Sequence, residues 1–326
     1  MLYLEEYTYN RGKIAFDSSQ LVKEVIYENA WERMLEVQKS QGVNAFIISH
    51  EVFPEAFYRA LNPGTLLVRL GVGYDSVPIE LCKELGILVA NTPNTLNQSV
   101  AEHAMVMLAS FSRHIIDHDK AMRKGGWAPQ MGEELSGKTL AIIGFGVIGR
   151  SLAKIAKYGY GMKVVAFGRN EDGNKAFPDL MDRFTTNLET AVKDADFVSI
   201  HLSLSTSTAK IINYDLLKKC KKNTVLVNTA RGGVIDEEDL YRALVDGTIY
   251  GACLDVFAEE PYFPIKGNDL RELPNVVLSP HVASHTVAAN MRMAQSAMQS
   301  IKWYEQGEME KLPIVSELKG LVGKKS

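Results

Sequence analysis

The stretch Thr139-Leu-Ala-Ile-Ile-Gly144-Phe-Gly146-Val-Ile-Gly149-Arg150 turns a short apolar run directly into a glycine-rich corner. Five β-prone or small residues suit a buried parallel strand. Gly144 then permits a tight turn, Gly146 lets a pyrophosphate approach the backbone, and Gly149 lets the next helix pack closely on the strand. Ser151–Tyr158 continues with apolar residues at helical spacing. The amides of Val147 and Ile148 therefore open a helix whose positive end faces phosphate. A second strand, Met162–Phe167, follows. Glycines in this order are common in turns, but strand, corner, helix and strand in succession are the context of a dinucleotide site.

Alternation of strand and helix continues from Lys138 to His281. Strands are expected at Thr139–Ile143, Lys163–Phe167, Phe197–Leu202, Thr224–Asn228, Ala252–Val256 and Val276–Leu278. Helices are expected at Asn187–Asp194, Tyr214–Lys219 and Glu237–Val245. Such alternation specifies a doubly wound parallel sheet. Upstream, Val43–Ser49, Leu66–Arg69 and Leu88–Ala90 read as buried strands of a second, smaller α/β unit. Ser99–Lys124 reads as one long helix bridging the two, and Gly125-Gly126 ends it. Val287–Gln306 is helical again, with Met291, Met293, Ala294 and Met298 on an apolar face. The first unit lacks a closing helix, so this tail is expected to return to it. The expected domains are 1–100 plus 286–326, and 101–285, with a cleft between them. A chain of 326 residues is long enough for both to bury cores.

The formal charge of −3 and the lack of a dense basic tract argue against nucleic acid or a membrane surface as partner. Glu5 and Glu6 stand where a signal peptide needs apolar residues, and no run approaches membrane-spanning length. Cys82, Cys220 and Cys253 are scattered, which suits a reducing cytoplasm and indicates no metal site.

In an open α/β sheet, ligands bind at the carboxyl ends of the strands. Three polar residues fall at successive ends: Arg231 in Asn228-Thr-Ala-Arg-Gly-Gly233, Glu260 in Leu254-Asp-Val-Phe-Ala-Glu-Glu-Pro261, and His281 in Ser279-Pro-His281. An arginine grips a carboxylate with paired hydrogen bonds. A histidine held by a carboxylate stays oriented and protonates readily, as a general acid must. Each alone has a plainer use, as an ion pair, a loop charge or a turn residue. Their convergence makes a catalytic set the better account.

These segments, with Arg69-Leu-Gly-Val-Gly-Tyr-Asp75, Asn91-Thr-Pro93 and Val100-Ala-Glu102, resemble the D-isomer-specific 2-hydroxyacid dehydrogenases. The resemblance runs from about Val43 to Ser284 and is closest in character to the glyoxylate and hydroxypyruvate reductases. It implies a Rossmann dinucleotide-binding domain with a smaller flavodoxin-like substrate domain. It also implies hydride transfer between NAD(P)H and a small 2-keto acid, and a homodimer formed through the Ser99–Lys124 region. In that helix Ala104, Met105, Met107, Leu108, Phe111 and Ile115 offer more apolar surface than one contact needs. By the same resemblance Arg231 binds and polarises the substrate, His281 is the general acid, and Glu260 rather than Glu259 is its partner. The backbone at Val72 and Gly73 holds the substrate carboxylate. Asp255 accepts from the nicotinamide carboxamide, with a structural cap as the alternative. Thr208 sits near the pyrophosphate, and Thr229 and Asn170 join the cofactor set.

The chain departs from the family at Phe167-Gly168-Arg169-Asn170. NAD-using members place a carboxylate at the second strand's end, on the ribose hydroxyls. Here Gly168 takes that position and Arg169 follows, offering donors to a 2′-phosphate. NADP is therefore expected in preference to NAD, the alternative being an Arg169 turned to solvent. Asp172 is a later carboxylate within reach of the ribose. Leu96 suggests a compact substrate wall. Arg69, the one obvious cation near the first unit's loops, lies in a strand pattern that argues against a phosphate role. Small unphosphorylated keto acids such as glyoxylate, hydroxypyruvate or pyruvate are therefore expected. Two other activities stay open: an NAD-linked 3-phosphoglycerate dehydrogenase, and a cofactor-sensing, co-repressor-like binding protein.

Overall fold

The computed structural model describes residues 2–19, 22–26, 30–170 and 176–322. The chain divides into two compact units, one made of residues 1–96 and 285–326, the other of residues 97–284. The nucleotide-binding unit is thus one continuous stretch, a few residues offset from the expected division.

In the first unit, strands β1 (Leu2–Glu5) and β2 (Val22–Ile26) form a parallel pair. Strands β3 (Ala45–Ile48), β4 (Leu66–Arg69) and β5 (Leu88–Ala90) form a parallel sheet with β4 in the middle. The first pair went unread because the sequence before Val43 lacks a clean apolar run. Helices α1 (Glu6–Asp17), α2 (Ala30–Gln41), α3 (Glu55–Ala60) and α4 (Ile79–Leu85) lie between the strands. All of β3 is buried, as a strand covered on both faces must be. The tail does return here. Ile314 bridges Ala90, and the Val315 amide donates to Val89 O at 3.0 Å.

The second unit opens with α5 (Asn97–Ser112) and α6 (Ile115–Arg123). The expected single helix is therefore wrong: His114 takes a left-handed conformation at φ 50° and breaks it. Its apolar residues are also accounted for differently. Ala104, Met105, Met107 and Leu108 are buried in the unit's own core, against Leu140, Ile142, Val164 and Val227. Strand periodicity sorts the two faces, because Ala141 and Ile143, one residue along from those, pack on the opposite side with Val198 and Leu226.

The sheet holds seven parallel strands in the order β8-β7-β6-β9-β10-β11-β12. They are β6 (Thr139–Ile143), β7 (Lys163–Phe167), β8 (Arg183–Thr185), β9 (Phe197–Ile200), β10 (Val225–Asn228), β11 (Gly251–Leu254) and β12 (Val276–Leu278). Chain order reverses between β6 and β9, and that switch point is where a doubly wound sheet binds its ligand. Strand β8 was missed because Arg183-Phe184-Thr185 offers no apolar run, unlike the Val-Val-Leu of the other edge strand, β12. Helices α7 (Val147–Lys154), α8 (Leu188–Val192), α9 (Tyr214–Leu217) and α10 (Glu237–Val245) complete this unit, and α11 (Val287–Glu305) belongs to the first.

Candidate active site

The corner after β6 is shaped by what a side chain would strike. Gly144 sits at φ 105°, and a Cβ there would lie 2.5 Å from His201 O. A Cβ on Gly149 would lie 2.3 Å from Gly144 O, so the helix approaches too closely for any other residue. Gly146 is different: a Cβ there would meet nothing within 4 Å, leaving open space before the first turn of α7. Val147 and Ile148 occupy that turn, so their amides have no acceptor within the helix. Bare space at a helix start, bounded by glycine, fits a phosphate.

Other cofactor candidates fall at neighbouring strand ends. Thr229, immediately after β10, is buried, and its Oγ1 has no hydrogen-bond partner among the described residues. An orphaned buried hydroxyl at a ligand-binding edge is what a bound group would satisfy. Arg169 and Asn170 are exposed after β7, past Gly168. Asp172 lies outside the described residues. Arg150 donates to Phe145 O at 3.0 Å and stacks over the Phe177 ring at 4.4 Å. The Thr208 hydroxyl is committed to its own turn, donating to Ser203 O at 2.6 Å and accepting from the Ser205 amide at 2.8 Å.

The catalytic candidates come together at the ends of β10, β11 and β12. His281 Nδ1 lies 2.6 Å from Glu260 Oε2. The other carboxylate oxygen accepts from the Phe257 amide at 3.0 Å. Burial pushes the Glu260 carboxyl up. Its hydrogen bonds to His281 and Phe257, and the positive charges of His281 and Arg231, outweigh that and hold it below the usual carboxylate range. Glu260 is therefore anionic at neutral pH and fixes one ring nitrogen of His281, leaving Nε2 for a reacting group. Glu259, one place earlier, is exposed and forms no ion pair among the described residues, and it is Glu260 that meets His281.

Arg231 is presented by a braced turn. Asn228 Nδ2 donates to Arg231 O at 3.0 Å, and Asn228 Oδ1 accepts from the Ala230 amide at 3.0 Å. Gly232 then presses on the other catalytic loop, since a Cβ there would lie 1.8 Å from Phe257 C. Glu237, at the start of α10, accepts from the Ala258 amide and ties the same loops together.

Asp255 follows β11 and is fully enclosed. Its Oδ1 accepts from Ser279 Oγ at 2.5 Å and the Val282 amide at 2.9 Å, and its Oδ2 accepts from the Ala283 amide at 2.8 Å. Its backbone oxygen accepts from the His281 amide at 2.7 Å. Asp255 thus clamps the turn that carries His281, which sits at φ 52°. This is the capping use left open beside the nicotinamide contact. His103 on α5, unread in the sequence, reaches Ser279 Oγ at 3.0 Å and Asp255 Oδ1 at 3.4 Å. Its one signal was its place directly after Val100-Ala-Glu102.

In the first unit, Val72 and Gly73 lie on the loop after β4. Asn91 Nδ2 donates to Val72 O at 2.8 Å, and Thr92 Oγ1 accepts from the Gly71 amide at 2.9 Å. The Val72 and Gly73 amides make no hydrogen bond among the described residues. Leu96 is buried in that unit.

Residues 105–283 match the family model of the D-isomer specific 2-hydroxyacid dehydrogenase, NAD binding domain. The chain belongs to that family. It is 36% identical over 287 residues to a glyoxylate reductase of Pyrococcus furiosus, covering 85% of this chain and 83% of that protein. It is 40% identical over 238 residues to a hydroxypyruvate reductase of Thermotoga maritima, covering 72% of this chain and 76% of that one. Among solved structures, it resembles an NADPH-dependent glyoxylate/hydroxypyruvate reductase from Sinorhizobium meliloti in complex with NADP and malonate. That likeness has TM-score 0.81 and 26% identity over 97% of each chain. The protein is an oxidoreductase acting on the CH–OH group of 2-hydroxy acids, with a dinucleotide-binding domain of the Rossmann type.

Proposed function

We propose that this dehydrogenase reduces small, unphosphorylated 2-keto acids such as glyoxylate and hydroxypyruvate with NADPH in preference to NADH. The observation that carries the reaction is the Glu260–His281 pair, with the Arg231 charge acting on it, at three adjacent strand ends. The names of the similar reductases support the substrate class. So does the place of Arg69 at the end of β4, where its guanidinium donates to Leu70 O.

A bound nicotinamide dinucleotide supplies the hydride. Gly144, Gly146, Gly149 and the Val147 and Ile148 amides hold its pyrophosphate, with Thr208 beside them. Thr229 would satisfy its hydroxyl on the same molecule, and Asp255, enclosed by the turn that it clamps, would act on the nicotinamide end through its charge. Arg231 grips the keto acid's carboxylate and draws electron density from its carbonyl. His281 Nε2 gives its proton to the carbonyl oxygen as hydride reaches carbon, so the alcohol forms without a free alkoxide. Glu260 keeps the imidazole oriented and stabilises its charged form. In oxidation the same nitrogen takes the proton back.

The preference for NADPH rests on Gly168 and on Arg169, which has no ion-pair or hydrogen-bond partner among the described residues. Assembly as a homodimer is supported by apolar residues exposed on and after α5 and α6, among them Val106, Ile115, Met122, Trp127 and Met131, the last two 84% and 96% exposed. Among the described residues no helix is long and apolar enough to cross a membrane. The three cysteines are unpaired, which suits work in the cytoplasm.

Steady-state turnover with a panel of keto acids, run in parallel with NADPH and NADH, tests the reading. Turnover of glyoxylate or hydroxypyruvate at higher kcat/KM with NADPH is expected. Phosphorylated substrates preferred with NADH would overturn it, and nucleotide binding without turnover would favour the sensor.

A further inference from the structure

Asp255 is a carboxylate with no exposed surface, at the end of β11 and tied to the His281 turn by four hydrogen bonds. All four donors are neutral. The ring of His103 is the basic group beside it, 3.4 Å from Oδ1 and 23% exposed, so it can exchange protons with solvent. The two residues therefore carry a net charge of minus one when the imidazole is neutral and zero when it is protonated. A ring that gives hydride next to His281 must lie by this strand end. That ring changes charge in the reaction, positive when oxidised and neutral when reduced.

We propose that His103 sets the charge felt by the nicotinamide, so that its protonation favours binding of the reduced cofactor and its deprotonation favours the oxidised one. The inference rests on the cofactor reading above. A neutral His103 leaves Asp255 uncompensated, and an uncompensated buried anion attracts the cationic ring. A protonated His103 cancels that attraction while keeping its place over Ser279 and Asp255.

The other groups near His103 do not reproduce this. Glu102, its neighbour on α5, is engaged by Gln98 at 2.8 Å. The Cys253 thiol at the end of β11 is buried and pushed far up, so it stays neutral. The Met107 sulfur on α5, which faces Ser279 Oγ, carries no charge. On α7, Arg150 is held at Phe145 O, and a cation that keeps its charge adds no pH dependence. His201, after β9, is pushed down by burial to about 4 and is neutral at working pH. His281 and Glu260 pair with each other near the ring, and a His103 variant leaves that pair in place.

The test compares dissociation constants of NADPH, by fluorescence, and NADP⁺, by competition, between about pH 6 and pH 8, the range in which imidazole titrates. Titration of the 2′-phosphate affects both nucleotides and cancels in their ratio. In the native protein Kd(NADP⁺)/Kd(NADPH) should fall as pH rises. In His103→Gln, whose amide keeps a donor toward Asp255, the fall should shrink by about threefold to tenfold. An unchanged fall overturns the inference. A second measurement needs no folded variant to carry it: the ring pKa of His103 in isotope-labelled native protein should be higher with NADPH bound than with NADP⁺, as linkage requires. Equal values overturn the inference by themselves. If neither nucleotide binds, the cofactor reading fails and this inference with it.

Discussion

Gly232→Ala is a small change with a large expected effect, and its size follows from distances. A Cβ at this position would stand 1.8 Å from Phe257 C, 2.0 Å from Phe257 O and 2.3 Å from the Ala258 amide nitrogen. All three are backbone atoms, so no side chain can rotate away. Ordinary carbon contacts need about 3.5 Å, and the Arg231 turn and the Glu260 loop must therefore separate by more than an ångström. Displacements of that size in a catalytic constellation cost about 100-fold in rate. The strain of inserting a methyl group costs about 1–3 kcal/mol of stability. The assay is kcat for glyoxylate reduction with nucleotide binding measured beside it. We expect kcat to fall by about 100-fold or more, while nucleotide binding weakens little because the corner at Gly144–Gly149 is untouched. Native kcat in Gly232→Ala would refute the idea that these loops must touch for Arg231 and Glu260 to act together.

His281→Ala should lose about 10²–10⁴-fold in kcat while still binding cofactor, measured by stopped-flow reduction and fluorescence. Glu260→Gln should retain more activity and should move the alkaline limit of reduction to lower pH, because removing the anion on Nδ1 disfavours the imidazolium that donates the proton. Arg169→Ala should weaken NADPH by about 1–3 kcal/mol more than NADH, read from the two Kd values. His201 shows a stability dependence of its own. Burial lowers its pKa from 6.5 to about 4, so the unfolded chain binds the extra proton in that window. Its contribution is complete above about pH 6.5 and is lost on acidification toward pH 4, by about 2–3 kcal/mol. Urea unfolding across that range should show a flatter profile for His201→Gln.

The nucleotide-binding unit was legible because parallel strands buried on both faces leave unbroken apolar runs, and Thr139–Ile143, Lys163–Phe167 and Val276–Leu278 are strands as read. Arg231, Glu260 and His281 could be picked out because each closes such a run. What stayed hidden depends on contacts distant in sequence. Nothing local marks His103 as the neighbour of a carboxylate 152 positions on, nor Asn91 as the brace of the loop at Val72. The break at His114 escaped because histidine is no conventional helix breaker, and the apolar stripe runs on past it. Apolar residues on α5 suggested a partner because the sequence does not say which sheet covers them. The structure shows that their own does.

The division of the chain has a consequence for how it is made. Residues 97–284 form a continuous unit, whereas the first unit needs α11 and the strap at Ile314–Val315 from the far end of the chain. On the ribosome the strands β3–β5 emerge early and wait, one flank uncovered, until everything between has been translated. The internal unit can reach its final form during that interval. The early-emerging half is therefore the one exposed to chaperones and proteases. Mutations that weaken α11 should lower cellular yield more than equally destabilising ones inside the nucleotide-binding unit.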